Sequence, residues 1–297
     1  MNKAVEVVII GGSYAGMSAA MALGRSLREV LVIDNGQPCN RQTPHSHNFL
    51  TRDGATPAFI ASVAKEQVLQ YPTVQWLDET VSKVEETADG LQVYTSQGLQ
   101  VHTKKLLLAT GVKDELLPIP GFAECWGISV LHCPYCHGYE VRKEALAVLS
   151  NGEMAMEFVQ LIRQWSSRIQ LLTNGNPMLT QQQLTQLEKA CIPVKSSPVQ
   201  SILHTNGQLY QVQLEDGTLI PLKALFARVP FSQSPLVQQL GLSLNEQGYI
   251  TVNPFQQTSL AHVFAAGDCT TPMRSVSTAV AQGTMAGAAI NKFLLDW

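Results

Sequence analysis

The stretch VEVVIIGGSYAG, residues 5–16, decides the fold of this chain. Residues 5–10 form a run rich in valine and isoleucine, which is typical of a strand buried on both faces of a parallel sheet. A glycine-rich turn follows, and small and apolar residues then recur at helical spacing over residues 15–25. A second buried run, residues 29–33, ends at Asp34. This order predicts a β–α–β unit in an α/β protein.

The turn between the first strand and helix matches a dinucleotide-binding pattern. Such a turn lets the N–H groups at a helix N-terminus hold a pyrophosphate, and an acid on the next strand binds the ribose. Gly11 and Gly16 fit the first and third glycines of G-x-G-x-x-G, while Ser13 stands at the middle glycine. Asp34 follows Gly11 by 23 residues (34 − 11 = 23), close to the spacing of about 20 expected for the acid. An ordinary tight turn is the alternative.

Two later segments carry the same kind of signal. Thr110-Gly111 ends a buried run at residues 105–109, and Gly267-Asp268 follows a short predicted strand at residues 263–265. A helix is predicted directly afterwards, over residues 277–295. An aspartate at such a point can bond a ribose or ribityl hydroxyl, and the helix N-terminus favours an anion. Each segment taken alone is compatible with a plain turn.

A second unit of the same kind begins near residue 145. A predicted strand at 145–149 meets the turn Ser150-Asn151-Gly152, and a predicted helix, 153–165, leads to another strand at 169–172. Antiparallel meanders are predicted at 80–101 and 199–226. The predicted fold is therefore α/β, with two Rossmann-like nucleotide-binding domains of three-layer ββα architecture. Residues 1–115 and 246–297 are predicted to form the first domain, and residues 116–245 the second, which is inserted into the first.

Composition excludes several classes of function. Lys and Arg total 20 against 23 for Asp and Glu, and this net charge of −3 without a basic run argues against nucleic acid as a partner. No apolar stretch reaches the roughly 18 residues of a membrane helix. The N-terminus lacks the features of a signal peptide, so a cytoplasmic protein is predicted. Charged residues are only 14% of the chain, which suggests large buried sheets.

The pair Cys133-Pro134-Tyr135-Cys136 indicates redox chemistry first and half of a metal site second. At a helix start, both thiols can lie on one face and close a disulfide, and the helix N–H dipoles favour the thiolate. His132 and His137 flank the pair, and imidazole suits proton transfer to or from a thiol. A packing or surface histidine is the alternative for each. Zinc is disfavoured because all four side chains lie within six consecutive residues, which strains a tetrahedral site.

Taken together, these segments resemble the low-molecular-weight thioredoxin reductase family of FAD disulfide oxidoreductases. The resemblance covers essentially the whole chain and rests on IIGGSYAG (9–16), LLLATG (106–111), WGISVLHCPYCHG (126–138) and TSLAHVFAAGD (258–268). It implies a homodimeric flavoprotein whose FAD domain is split by an NADPH domain. It also implies that Cys136 is the sulfur near the flavin and that Cys133 exchanges with the substrate.

The resemblance also implies which residues contact FAD. They are Gly11, Gly12, Ser13, Ala15, Gly16, Asp34, Asn48, Thr110, Gly111, Gly267, Asp268 and, through its backbone N–H, Val276. One departure is that the family often has Arg-Gln beside the flavin, where this chain has Ser275-Val276. Another is His137, which stands where an acid normally follows the second cysteine. His45 and His47, just before Asn48, are candidates to line a substrate path, with an exposed loop as the alternative.

The string CPYCHGYE (133–140) is closer to the thioredoxin reductase-like dithiol oxidases of fungal epidithio-metabolite pathways and their bacterial relatives. This implies that electrons pass from a dithiol, either a small molecule or a thioredoxin-like protein, through Cys133/Cys136 and FAD to dioxygen. His137, with His132, is expected to move protons. A thioredoxin reductase running the other way, with NAD(P)H or another donor, is the second interpretation, and a flavin-binding redox sensor is the third.

The second nucleotide turn departs from the family pattern. Ser150 stands at the first glycine, although Gly152 and Ala155 persist. After the next strand, Thr173-Asn174-Gly175 replaces a His-Arg-Arg run, so two cations that pair with the 2′-phosphate are missing. The sequence therefore predicts that NADPH is a doubtful cofactor, with NADH, another nucleotide or a packing remnant as alternatives.

Overall fold

The computed structural model of the chain describes residues 2–295, which divide into two compact units. Unit 1 takes in the chain up to Arg41, Phe49–Lys113 and the chain from Phe231 onward. Unit 2 comprises Gln42–Asn48 and Asp114–Pro230. The chain thus re-enters unit 1 at Phe231, earlier than the predicted boundary at residue 246, and one short segment before Phe49 groups with unit 2.

In chain order, the strands are β1 (Asn2–Ile10), β2 (Val30–Asp34), β3 (Val74–Asp78), β4 (Val81–Thr87), β5 (Gly90–Thr95), β6 (Gln100–Leu108), β7 (Lys113–Asp114), β8 (Val130–Leu131), β9 (Leu146–Leu149), β10 (Ile169–Leu172), β11 (Val194–Lys195), β12 (Val199–Thr205), β13 (Gln208–Leu214), β14 (Leu219–Pro221), β15 (Ala224–Ala227), β16 (Phe231–Ser232) and β17 (Val263–Ala265). The helices are α1 (Tyr14–Arg25), α2 (Pro57–Val68), α3 (Phe122–Cys125), α4 (Pro134–His137), α5 (Glu153–Ile162), α6 (Gln181–Lys189), α7 (Pro235–Gln239) and α8 (Val276–Phe293).

Unit 1 is built on one seven-stranded sheet in the order β3-β2-β1-β6-β5-β4, with β17 also paired to β6. Strand β6 belongs both to the antiparallel part and to the parallel part of this sheet. Its first part lies antiparallel to β5, with Leu91 opposite Thr103, and its last part lies parallel to β17, with Val263 opposite Leu106. The sequence predicts a meander strand and a separate buried strand here. That separation is wrong, because β6 stays paired with β1 along its whole length.

Helices α1 and α8 pack closely against each other in unit 1. A Cβ placed on Gly283 would overlap the carbonyl oxygen of Ala15, so the backbones approach where only glycine fits. Ser18 Oγ donates to the carbonyl oxygen of Val280 at 2.8 Å. This packing fixes the N-terminus of α1 at the carboxyl ends of β1 and β2.

Unit 2 holds a five-stranded parallel sheet, in the order β11-β10-β9-β15-β8, and a three-stranded antiparallel sheet, β12-β13-β14. The predicted second meander ran on to residue 226. Instead β15, which is buried throughout, leaves the meander and pairs parallel with β9, with Phe226 opposite Val148. Helix α5 ends at Ile162, before its predicted end at residue 165, because residues 163–165 form a turn. Each unit therefore combines a parallel sheet with an antiparallel meander.

The longest helix, α8, has 18 residues and carries several polar and glycine residues. No helix within residues 2–295 is both long enough and apolar enough to cross a membrane.

Candidate active site

The turn after β1 needs glycine at its first and last positions. Gly11 has a φ of +102°, in the left-handed region, and a Cβ there would overlap the carbonyl oxygen of Ala109. A Cβ on Gly16 would overlap the carbonyl oxygen of Gly11. Both constraints come from the protein's own backbone, so the tight turn would form with or without a ligand.

Asp34 holds this turn from the end of β2. Its Oδ1 accepts a hydrogen bond from Gly12 N at 2.8 Å, and its Oδ2 accepts one from Gly36 N at 3.1 Å. Ser13 is the N-cap of α1, but its side chain caps no N–H of the helix. The side chain of Ser13 therefore does not cap α1, and the N-terminus of a helix favours an anion.

Thr110 and Gly111 lie just after the end of β6, and the side chain of Thr110 has a buried hydroxyl group. Thr110 Oγ1 is buried and makes no hydrogen bond within residues 2–295. Gly111 has a φ of +61°, and nothing lies within 4 Å of the place where its Cβ would be. A buried polar atom without a partner calls for an explanation, and a ligand hydroxyl or phosphate beside Thr110 supplies one.

Asp268 lies beside Arg274 and Cys39, two residues that were not predicted from the sequence to belong to the FAD site. Its Oδ2 is 3.5 Å from Nε of Arg274, whose side chain is only 11% exposed, and 3.8 Å from Sγ of Cys39. Arg274 directly precedes the Ser275-Val276 pair that departs from the family pattern. A lone basic residue between Asp268 and the last helix was the available signal. Val276 begins α8, after Ser275 caps the helix.

Unit 1 thus contains all the residues predicted to contact FAD except Asn48. Asn48 has a φ of +59° and belongs to the segment Gln42–Asn48, which groups with unit 2. The glycine turn, the uncapped start of α1 and the orphaned Thr110 hydroxyl fit FAD as a ligand of unit 1. In this assignment the turn at Gly11 and α1 would hold the pyrophosphate, and Asp34 would hold the ribose.

Cys133 and Cys136 are joined as a disulfide in unit 2, with their Cα atoms 5.3 Å apart. Cys133 is the N-cap of the short helix α4, and its Sγ accepts a hydrogen bond from Cys136 N at 3.2 Å. When the pair is reduced, this N–H stabilises negative charge on Cys133 Sγ. Cys133 is therefore suited to be the thiolate that exchanges with substrate sulfur.

His132 packs in a column of rings. Its ring centroid lies 5.9 Å from that of Trp126, which in turn stacks on Phe122 at 5.7 Å. Trp126 Nε1 donates to Asp114 Oδ2 at 3.2 Å, which fixes the middle ring. The orientation of His132, the residue before Cys133, is thus set by packing against Trp126.

His137 directly follows Cys136 and is partly buried. Burial, and secondarily the charge of His47, lower the pKa of His137 to about 4. His47 Nε2 lies 3.6 Å from Glu140 Oε1, so His47 and Glu140 form an ion pair near the disulfide when His47 is protonated. His137 is therefore neutral at pH 7, and its pKa is below the near-neutral value that the sequence suggests for an imidazole.

The free energy of unfolding is expected to fall as the pH falls from 6.5 to about 4, in part because of His137. The folded-state pKa of His137 is depressed, so the unfolded chain binds a proton in this window while the folded chain does not. The expected loss from this residue is on the order of 1–3 kcal/mol. Urea unfolding of the wild type and His137→Gln over this pH range measures it.

His137→Gln is expected to flatten that pH dependence. His47→Gln serves as a partial control, because it removes only the smaller cause and should move the lower edge of the window upward. The same slope in the wild type and in His137→Gln would contradict a buried neutral imidazole at this position.

The second nucleotide turn is tied down by the side chain of Asn151. Its Nδ2 donates to the carbonyl oxygens of Thr173 at 3.1 Å and Asn176 at 3.0 Å. Its Oδ1 accepts from Gly152 N at 2.9 Å and Met178 N at 2.7 Å. One amide thus bridges the turn after β9 and the loop after β10, where a dinucleotide would bind in a Rossmann-like unit.

The loop after β10 is also closed by its own side chains. Thr173 Oγ1 donates to the carbonyl oxygen of Gly175 at 2.6 Å, and Asn174 Oδ1 accepts from Val199 N at 2.7 Å. These internal hydrogen bonds lie in the same loop where the sequence lacks the two cations expected to pair with the 2′-phosphate. An exposed cation, Lys195, lies nearby on β11, where it is opposite Leu172 of β10 in the parallel sheet.

The remaining cysteines do not add to the redox pair. Burial, and secondarily the charge of Asp268, raise the pKa of Cys269 to about 12, so its thiol stays protonated. Burial also raises the pKa of Cys125. Cys39 and Cys191 are exposed. Within the described residues, no group of three or more His, Cys, Asp or Glu side chains is placed to hold a metal ion.

Comparisons with known proteins show the family of the chain. The family model described as pyridine nucleotide-disulphide oxidoreductase matches residues 5–283. The thioredoxin reductase tcpT of Claviceps purpurea is 32% identical, over 99% of this chain and 95% of that protein. The crystal structure of an oxidoreductase from Agrobacterium tumefaciens has a TM-score of 0.91 at 35% identity, and covers 98% of each chain.

The crystal structure of a protein called TrxB from Bacillus anthracis is similar over 98% of this chain and 99% of that one, with a TM-score of 0.94 and 30% identity. These matches confirm the predicted fold class and the resemblance to thioredoxin reductases. The chain belongs to the pyridine nucleotide-disulphide oxidoreductase family and is a thioredoxin reductase-like, FAD-dependent disulfide oxidoreductase.

Proposed function

We propose that this protein oxidises dithiols, and that two electrons pass from a substrate dithiol through Cys133 and Cys136 to FAD and then to dioxygen. The observation that carries this proposal is the contrast between the two nucleotide turns. The first turn keeps its glycines and an uncapped helix start. The second is bridged by Asn151 and followed by a loop without a cation. A dithiol is then a better electron source than NADPH.

The exchange begins when a substrate thiolate attacks Sγ of Cys133. The Cys133–Cys136 bond breaks, a mixed disulfide forms at Cys133, and Cys136 leaves as a thiolate. The second substrate thiol, as its thiolate, then attacks the substrate sulfur and displaces Cys133 as a thiolate, which the N–H of Cys136 stabilises. The substrate leaves as a disulfide, and the cysteine pair keeps two electrons.

His137 is proposed to take up a proton only when the cysteine pair is reduced. In the disulfide state, burial keeps its imidazole neutral. A thiolate at the adjacent Cys136 adds an opposite charge, and an opposite charge favours the imidazolium form. The proton released by a substrate thiol can therefore reside on His137 until the electrons leave the pair. His132, whose ring is oriented by Trp126, is proposed to move protons at Cys133.

Unit 1 supplies the flavin in this scheme. Gly11 and the start of α1 would hold its pyrophosphate, Asp34 would hold its ribose, and Asp268, which lies beside Arg274, would hold its ribityl chain. Bound FAD would supply two-electron redox chemistry, through which the electrons of the reduced cysteine pair, with two protons, would convert dioxygen to hydrogen peroxide. We further propose that the protein works as a homodimer in the cytoplasm.

Disulfide reduction is the second candidate function. The relative from Claviceps purpurea carries the name thioredoxin reductase, which favours a thioredoxin-like protein as partner. Electrons would then flow from NAD(P)H or another donor to FAD, to Cys136 and finally to the partner's disulfide. A flavin-binding redox sensor with slow turnover is the third candidate.

Oxygen uptake tests the proposed direction of electron flow. With dithiothreitol as the dithiol, the purified protein is expected to consume dioxygen and to form about one hydrogen peroxide per dithiol oxidised, because each transfer moves two electrons. Cys136→Ser should lose this activity, and Cys191→Ser, an exposed cysteine outside the pair, should retain it. Flavin-loaded wild type that consumes no dioxygen with dithiothreitol would contradict the oxidase proposal.

A further inference from the structure

Trp76, on β3, lies directly against the first nucleotide turn. If residue 12 had a Cβ, that atom would overlap Cη2 and Cζ2 of the Trp76 ring and lie 2.8 Å from Cβ of Asp34. Trp76 pairs with Val32 in the middle of β2 and β3, and its ring reaches Gly12 and Asp34 at the carboxyl ends of β1 and β2. Dinucleotides bind at this edge of such sheets.

The Trp76 ring is held in place on two sides. Its Nε1 donates to Asp78 Oδ1 at 2.8 Å, and Nζ of Lys65 lies 4.0 Å from its ring centroid. Lys65 Nζ also lies 3.4 Å from Asp78 Oδ1. These contacts, together with packing on the core of unit 1, orient the benzo edge of the ring toward Gly12. The edge is therefore a fixed surface of the turn.

We propose that Trp76 forms a wall of the site for the adenosine half of FAD, and that its ring, more than the Cβ of Asp34, is the reason why residue 12 is glycine. Asp34, the residue expected to bind the ribose, touches the same point, since Gly12 N donates to its Oδ1. The absence of a Cβ at Gly12 thus makes room for the Trp76 ring, whereas at Gly11 and Gly16 it makes room for backbone atoms. This inference rests on FAD binding by unit 1, and does not depend on the direction of electron flow.

A rescue experiment separates these two roles of glycine. FAD affinity is measured by titrating flavin-stripped protein with FAD. Gly12→Ser is expected to weaken binding by at least ~10²-fold, and Trp76→Leu in the same chain should recover at least ~10-fold of that loss, because coupled neighbours are non-additive. Gly16→Ser is the matched control. Its Cβ meets the backbone of Gly11, so Trp76→Leu should not rescue it.

A second readout does not depend on whether Gly12→Ser folds. FAD binding is expected to quench part of the tryptophan emission, and Trp76→Phe should lose a larger share of that change than Trp165→Phe, which alters a ring of unit 2. The proposal is overturned if the double variant Gly12→Ser/Trp76→Leu binds FAD as weakly as Gly12→Ser, or if the quenching is the same in Trp76→Phe and the wild type. Wild-type FAD binding and oxygen uptake are recorded separately, so a failed rescue in a protein that binds FAD and consumes dioxygen overturns this inference alone.

Discussion

Replacing either Cys133 or Cys136 with serine is expected to slow the reduction of bound flavin by dithiothreitol by about 10³-fold or more. A serine hydroxyl can neither form the mixed disulfide nor close the intramolecular bond that the two sulfurs make in unit 2. Each single substitution should be nearly as severe as the double one, because the two cysteines act as one unit. Stopped-flow absorbance of the flavin, without oxygen, measures the rate.

Cys191→Ser is the matched control, since Cys191 is exposed and lies outside the pair. It is expected to be reduced at the wild-type rate. If the serine variants at Cys133 or Cys136 were also reduced at that rate, dithiothreitol would be reaching the flavin directly and the cysteine pair would have no role in the reaction.

NADPH is expected to be a poor reductant of the same flavin. Each charge-assisted hydrogen bond to a phosphate contributes roughly 1.5–3 kcal/mol, and the loop Thr173-Asn174-Gly175 lacks two cations that would make such bonds. Their loss should weaken binding by about 10²-fold or more. The Asn151 amide also bridges the region that the nucleotide would enter. The dependence of the anaerobic bleaching rate on NADPH concentration measures the effect.

Two variants sharpen this test. Asn176→Arg places a cation on the exposed part of the loop and is expected to improve NADPH-dependent bleaching by up to about 10-fold, with Asn176→Gln as the uncharged control. Lys195→Ala measures how much the charge of Lys195 contributes to NADPH binding in the wild type. Rapid, saturable bleaching of the wild type at micromolar NADPH would favour the reductase.

Local patterns in the sequence predicted much of the FAD turn. A side chain at residue 16 would overlap the backbone of Gly11, and one at residue 11 would overlap the backbone just after the neighbouring strand β6. Such constraints leave a recognisable motif in the sequence. The same holds for the cysteine pair, where Cys133 caps the helix that Cys136 belongs to. A motif of this kind is readable because sequence neighbours are also neighbours in space.

Contacts between residues far apart in sequence left no comparable signal. Strand β3 was not predicted, so Trp76 could not be placed against Gly12. The bridge from Asn151 to the loop after β10 depends on how two strands align. The low pKa of His137 follows from burial, which a sequence motif does not specify. Strand β15 joins the parallel sheet because it is buried on both faces, although it follows a meander.

The central claim is that electrons enter this protein from a dithiol and leave to dioxygen. The most direct test is an anaerobic titration of the purified, flavin-loaded protein, first with dithiothreitol and separately with NADPH, followed by admission of air. We predict stoichiometric bleaching by dithiothreitol, little bleaching by NADPH over the same time, and full recovery of the flavin spectrum in air. Bleaching by NADPH at low concentration, together with slow or absent reduction by dithiothreitol, would contradict the claim and identify a reductase.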